Sequence, residues 1–101
     1  GVIIPTVNDN SSHVYHLYVI RVDNREKVIK GLNEKGISNG VHYPMPLPFL
    51  DAYKYLGHKP EDFPISWDYK DKILSLPMYP ELTNAMIEYI AKSLSQIINT
   101  T

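Results

Sequence analysis

His42 and Tyr43 stand at the head of the run Val41–Leu50, V-H-Y-P-M-P-L-P-F-L, and bring together an imidazole and a phenol. Both rings can donate, accept and stack. Pro44, Pro46 and Pro48 follow at every second position. Each proline holds φ at about −65° and removes a backbone donor, so the run is neither a helix nor the middle of a sheet. A stiff extended arm carrying these two side chains suits contact with a ligand or a partner. The plainer reading is a proline-rich connector whose aromatics pack locally, and the residues alone favour it slightly.

Other candidates are weaker. His13 and His16 form an H-x-x-H pair, but on a strand that spacing sends them to opposite faces. With no cysteine and no carboxylate partner at hand, no metal site is expected. A strand histidine satisfied by hydrogen bonds is the better reading of each. Arg21 has the guanidinium that grips phosphate or carboxylate bidentately, although a solvated strand end is the commoner role. Pro77–Pro80 spells P-x-x-P without an adjacent basic residue, after an apolar strand that needs burial. Asp51, Glu61, Asp62 and Glu81 show no spacing that implies paired acid and base. Gly-rich phosphate loop, Walker-type lysine and Ser/His/Asp order are all absent from the sequence, so no self-sufficient catalytic site is expected.

The elements that must position these residues follow from periodicity. Residues 1–12 read as a lead-in with a polar turn. His13–Val22, rich in β-branched and aromatic residues, predicts a central strand with Val19 and Arg21 on one face and Tyr18, Ile20 and Val22 on the other. Asp23, with Glu26 three residues on, predicts the N-cap of a helix from Asn24 to about Lys35, stopped by Gly36. Ile37–Tyr43 predicts a second strand leading into the proline arm. Phe49–Leu56 predicts a short helix stopped at Gly57, then a surface loop over 58–64 and a helix capped by Ser66 and ending near Lys72. Ile73–Met78 predicts a third strand. A final helix capped by Thr83 or Asn84 carries Met86, Ile87, Ile90, Leu94 and Ile97 on one wide apolar face. The expected fold class is α+β, a two-layer sandwich of a small, mostly antiparallel three-stranded sheet with helices.

A chain of 101 residues makes one domain, residues 1–101, and the composition, 44% hydrophobic and 21% charged, is that of a globular protein. A net charge of −1 gives no footprint for nucleic acid or an anionic membrane. No apolar run reaches the ~20 residues of a membrane span. The lack of cysteine leans towards a reducing cytoplasm. Eight tyrosines are more than packing needs and suit a face that meets a partner. The chain opens on Gly1 and apolar residues without methionine, as expected of a fragment of something longer.

Three blocks in order carry a resemblance: H-V-Y-H-L-Y-V-I-R (His13–Arg21), G-I-x-x-x-V-H-Y-P-x-P-L (Gly36–Leu47) and L-S-L-P-M-Y-P-E-L-T (Leu74–Thr83). A-Y-x-x-L-G (Ala52–Gly57) and Phe63-Pro64 fit between them. From His13 onward the chain resembles the C-terminal, small domain of the DegT/DnrJ/EryC1/StrS family of pyridoxal-phosphate-dependent nucleotide-sugar aminotransferases. The resemblance implies the small-domain fold of fold-type-I transferases. It implies a large N-terminal domain, absent from this chain, that holds the cofactor and the Schiff-base lysine. It implies no catalytic residue in this chain, His42 and Tyr43 as substrate contacts, and His16 and Arg21 as candidate substrate or interface contacts. Pro48 departs from the family, which usually has histidine after P-x-P-L.

On this resemblance the parent protein transfers an amino group from an amino acid, with glutamate the expected donor, to a keto-sugar nucleotide. It does so as a homodimer with pyridoxal phosphate, in the cytoplasm, within polysaccharide biosynthesis among other pathways. The isolated chain is expected to hold no cofactor and to be inactive. Two other readings stay open: a standalone interaction module that grips a partner with the proline arm, and a relative without the lysine that senses sugars.

Overall fold

The computed structural model describes residues 1–100. At its centre is a three-stranded antiparallel sheet of β1 (Val2–Ile3), β2 (Tyr18–Val22) and β3 (Ile73–Leu76), in the order β1-β2-β3. On one side of β2, Val22 pairs with Val2. On the other, Tyr18, Val19, Ile20 and Arg21 pair with Leu76, Ser75, Leu74 and Ile73. Alternation along each strand sorts these residues onto two faces. Tyr18, Ile20, Val22, Leu74 and Leu76 share one face, and Val19, Arg21, Ile73 and Ser75 share the other.

The first face carries the core. Ile20, Val22 and Leu74 meet Val28 and Leu32 of α1 (Arg25–Glu34) and Leu94 and Ile97 of α3 (Asn84–Asn99), all buried in one cluster. Removing each such side chain from water contributes roughly 1.5–3 kcal/mol, which makes this layer the main source of stability. The two helices approach closely at Gly31, where a Cβ would lie 2.7 Å from the Ile97 side chain. α1 starts at Asn24, whose side chain accepts the Lys27 N–H at 3.4 Å, one residue later than the Asp23 cap expected from the sequence. Gly36 ends it as expected, with φ 72° and its N–H on Asn33 O. Thr83 caps α3 by accepting the Met86 N–H at 3.2 Å.

Several expected boundaries move. The long strand over His13–Val22 exists only from Tyr18 onward, because β1 and β3 offer no partner to residues 13–17 and Tyr15 adopts φ 49°. The strand expected over Ile37–Tyr43 shrinks to a single bridge between Gly40 and Ser75. Asn39 explains part of this: its amide donates to Ile37 O at 3.1 Å and Asn33 Oδ1 at 2.8 Å, local bonds that compete with a ladder. Val2–Ile3, read from sequence as part of the lead-in, supplies the third strand instead. The Phe49–Leu56 helix resolves into two 3-10 turns, Leu47–Phe49 and Asp51–Leu56, closed at Gly57 with φ 70°. The 58–64 loop contains a further 3-10 turn, Pro60–Asp62. α2 spans Pro64–Tyr69, opening on Pro64 and not on Ser66, since proline is preset for the first helical position. The fold class itself is as expected: α+β, with a small antiparallel sheet and its helices.

Candidate functional site

The second sheet face, bearing Arg21, Ile73 and Ser75, looks onto the proline arm and α2. Gly40 and Ser75 exchange backbone hydrogen bonds, Gly40 N to Ser75 O at 3.2 Å and Ser75 N to Gly40 O at 2.7 Å, which pins the root of the arm to β3. Two residues on, His42 Nδ1 lies 2.8 Å from Ser75 Oγ, and Ser75 is only 4% exposed. Gly40 makes room for this ring, because a Cβ there would sit 2.9 Å from His42 Cε1. The His42–Tyr43 peptide is cis, and the two rings meet edge to face at 5.5 Å. Tyr43 is 72% exposed at the outer rim.

His42, Tyr43 and Leu50 on the arm side, and Tyr69, Lys70 and Ile73 on the other, line a cleft of about 660 Å³. The opposite wall is braced from behind. The Arg21 guanidinium stacks 4.1 Å from the Tyr69 ring centroid. Arg25 of α1 donates to Lys70 O and Ile73 O and so ties down the turn between α2 and β3. Phe49 packs edge-on against Trp67 at 4.9 Å and Phe63 at 6.2 Å, which joins the end of the arm to α2. The cleft therefore has stiff walls, one hydrogen-bonding imidazole and one exposed phenol. It can orient a polar ligand by hydrogen bonding and stacking.

Of the residues singled out by sequence, His42 and Tyr43 come together in the cleft. Arg21 lies on the same sheet face but is spent on Tyr69, behind the wall. His16 stands apart, exposed in the bend before β2. His13 lies outside the strand and accepts the Tyr15 N–H at 2.7 Å. Sequence reasoning passed over Gly40 and Ser75. A signal existed: Ser75 is the one polar residue in I-L-S-L, and alternation places it on the Arg21 face. Among the described residues no group of three or more His, Cys, Asp or Glu could hold a metal ion, and no helix is long and apolar enough to cross a membrane.

Gly40→Ala isolates the role of the ring. The nearest atoms an added Cβ would meet all belong to the His42 ring and not to the backbone, so folding should survive while the imidazole is pushed off Ser75. The expected result is a folded protein destabilised by about 1–3 kcal/mol, the cost of leaving a buried hydroxyl unpaired. The His42 ring resonances should shift clearly in an NMR spectrum.

A model of the DegT/DnrJ/EryC1/StrS aminotransferase family matches residues 1–95. The chain belongs to that family. Among its DegT/DnrJ/EryC1/StrS relatives, the dTDP-3-amino-3,6-dideoxy-alpha-D-galactopyranose transaminase of Aneurinibacillus thermoaerophilus is 34% identical over 93 residues, 92% of this chain and 25% of that protein. A DegT DnrJ EryC1 StrS aminotransferase from Brucella abortus superposes with a TM-score of 0.89 at 28% identity, covering 98% of this chain and 26% of that one. NtdA from Bacillus subtilis, solved with bound cofactor PMP, gives a TM-score of 0.74 at 25% identity over 98% of this chain and 23% of its own. The chain spans about a quarter of the length of the curated relatives it matches.

One lysine of this chain, Lys70, lies at the cleft that carries His42 and Tyr43. Its amine is held by the Asp71 carboxylate at 2.7 Å and lies over the Trp67 ring at 4.5 Å. A Schiff-base lysine needs a free amine facing the aldehyde, and Lys70 is not placed as one.

Proposed function

We propose that this chain is the small, C-terminal domain of a pyridoxal-phosphate-dependent aminotransferase that moves an amino group from an amino acid, glutamate, to a keto-sugar nucleotide. The observation that carries this reading is the position of the family's H-Y-P segment at a stiff-walled cleft, with His42 hydrogen-bonded to a buried serine. The cofactor and its lysine reside in the remainder of the protein, where the cofactor acts as the electron sink. This domain's own residues orient substrate: His42 by a hydrogen bond and Tyr43 by its exposed ring and hydroxyl. The proline arm holds both at low entropic cost.

A second feature supports a domain that works against a larger body. Between the sheet and the first half of α3 runs an apolar groove of about 470 Å³, lined by Ile4, Tyr18, Met78, Ile87 and Ile90 among others. Of these, Ile4 is 60% and Ile87 50% exposed. Apolar surface of this kind is usually covered in the working protein. We assign its cover to the remaining part of the same protein, which acts as a homodimer in the cytoplasm.

Supplied with pyridoxal phosphate, glutamate and a keto-sugar nucleotide, the isolated chain is expected to give no product above a boiled control. The intact protein is expected to aminate the sugar. Turnover by the chain alone would overturn the division of labour, and an inactive intact protein would overturn the function.

A further inference from the structure

We propose that Ser75 is a positioning residue that sets the tautomer of His42, so that the imidazole presents Nε2–H to the ligand as a hydrogen-bond donor. The argument turns on one hydroxyl. Ser75 is buried, and among the described residues the only hydrogen-bond partner of its Oγ is His42 Nδ1, at 2.8 Å. Its neighbours on the same sheet face, Val19, Arg21 and Ile73, carry no side-chain acceptor. A buried hydroxyl proton left unpaired is costly, so Ser75 O–H donates to Nδ1. In the neutral ring the remaining proton then sits on Nε2, because one ring nitrogen accepts when the other donates.

The rest of the cluster holds this arrangement. Paired backbone bonds fix Gly40 against Ser75, and the ring lies against the bare Cα of Gly40, where any Cβ would strike it. His42 itself is exposed and Nε2 has no partner among the described residues. The cleft therefore meets its ligand with an N–H at this point. The matching group is an acceptor oxygen, from either the diphosphate or the sugar. The identity of the ligand rests on the function proposed above, whereas the tautomer does not.

The test uses the intact protein labelled with ¹⁵N-histidine, with His42 assigned through its loss in His42→Gln. Long-range ¹H–¹⁵N correlations of the ligand-free protein should show the Nε2–H tautomer. In Ser75→Ala the pattern should move towards a mixture of tautomers. KM for the nucleotide sugar should rise about 3- to 10-fold, the worth of one hydrogen bond, with kcat little changed. Ser75→Thr, which keeps the hydroxyl, should restore both. Titration with a nucleoside diphosphate alone and then with the nucleotide sugar identifies the acceptor: a shift of the Nε2–H signal with the first points to phosphate, and with the second only to the sugar.

An Nδ1–H tautomer in the wild type, or an unchanged pattern in Ser75→Ala, overturns the proposal. So does nucleotide-sugar binding that leaves the Nε2–H signal unmoved. If calorimetry shows no nucleotide sugar binding at all, the functional reading fails, and the free-protein spectrum still decides the tautomer.

Discussion

His42→Ala in the intact protein is expected to lower kcat/KM for the sugar nucleotide by about 10- to 100-fold, the loss expected when a hydrogen bond to a polar or charged ligand group is deleted. The magnitude follows from the geometry. His42 is pinned from below through Ser75 Oγ at Nδ1, and its Nε2 has no partner among the described residues. Tyr43 is 72% exposed and braced only by the edge of the His42 ring, so Tyr43→Phe should cost less. Tyr43→Phe should hardly change thermal stability, since Tyr43 lies outside the core cluster, whereas His42→Ala leaves the buried Ser75 hydroxyl unpaired and should cost about 1–3 kcal/mol. Steady-state kinetics alongside thermal unfolding checks this. A kcat/KM within a factor of two of wild type for His42→Ala would remove His42 from the substrate site.

The largest stability effect is expected from Leu32→Ala. Leu32 is fully buried in the last turn of α1, in one cluster with Val28 of its own helix, Ile20 and Leu74 of the sheet and Ile97 of α3. Alanine is at least as good a helix former as leucine, so helix propensity works slightly against any loss. The measured change therefore reports packing alone. Deleting a buried leucine down to Cβ costs about 2–5 kcal/mol. Total stability for a domain of this size is about 5–15 kcal/mol, so the variant should be unfolded or nearly so at temperatures the parent tolerates. Urea unfolding followed by fluorescence of Trp67, the single tryptophan, measures it. A loss below about 1 kcal/mol would mean that α1 is not seated on the sheet as described.

Much of this was legible in the sequence, and what was missed has physical causes. α1 and α3 were readable because caps and apolar periodicity agree with their packing: Thr83 caps, Gly36 stops, and Leu94 and Ile97 fall on the buried stripe. The strands were harder, because a strand needs a partner as well as a composition. H-V-Y-H-L has a strand's residues, but no strand among the described residues pairs with it. Val2–Ile3 has too few residues to signal a strand and forms one by lying against Val22 and Arg21. Within the site, His42 and Tyr43 stood out through the prolines that follow them. Gly40 and Ser75 did not, since their importance lies in a contact across 33 residues. The family was legible because three short blocks kept their order, and the same blocks fold into β2, the root of the arm and β3.

The most direct test of the account is amination by the intact protein, read by mass spectrometry of the nucleotide sugar after incubation with pyridoxal phosphate and glutamate. An amino-sugar nucleotide whose appearance requires the cofactor and the amino donor is the predicted result. A folded, cofactor-supplied protein that leaves both dTDP- and UDP-keto-sugars unchanged would contradict it.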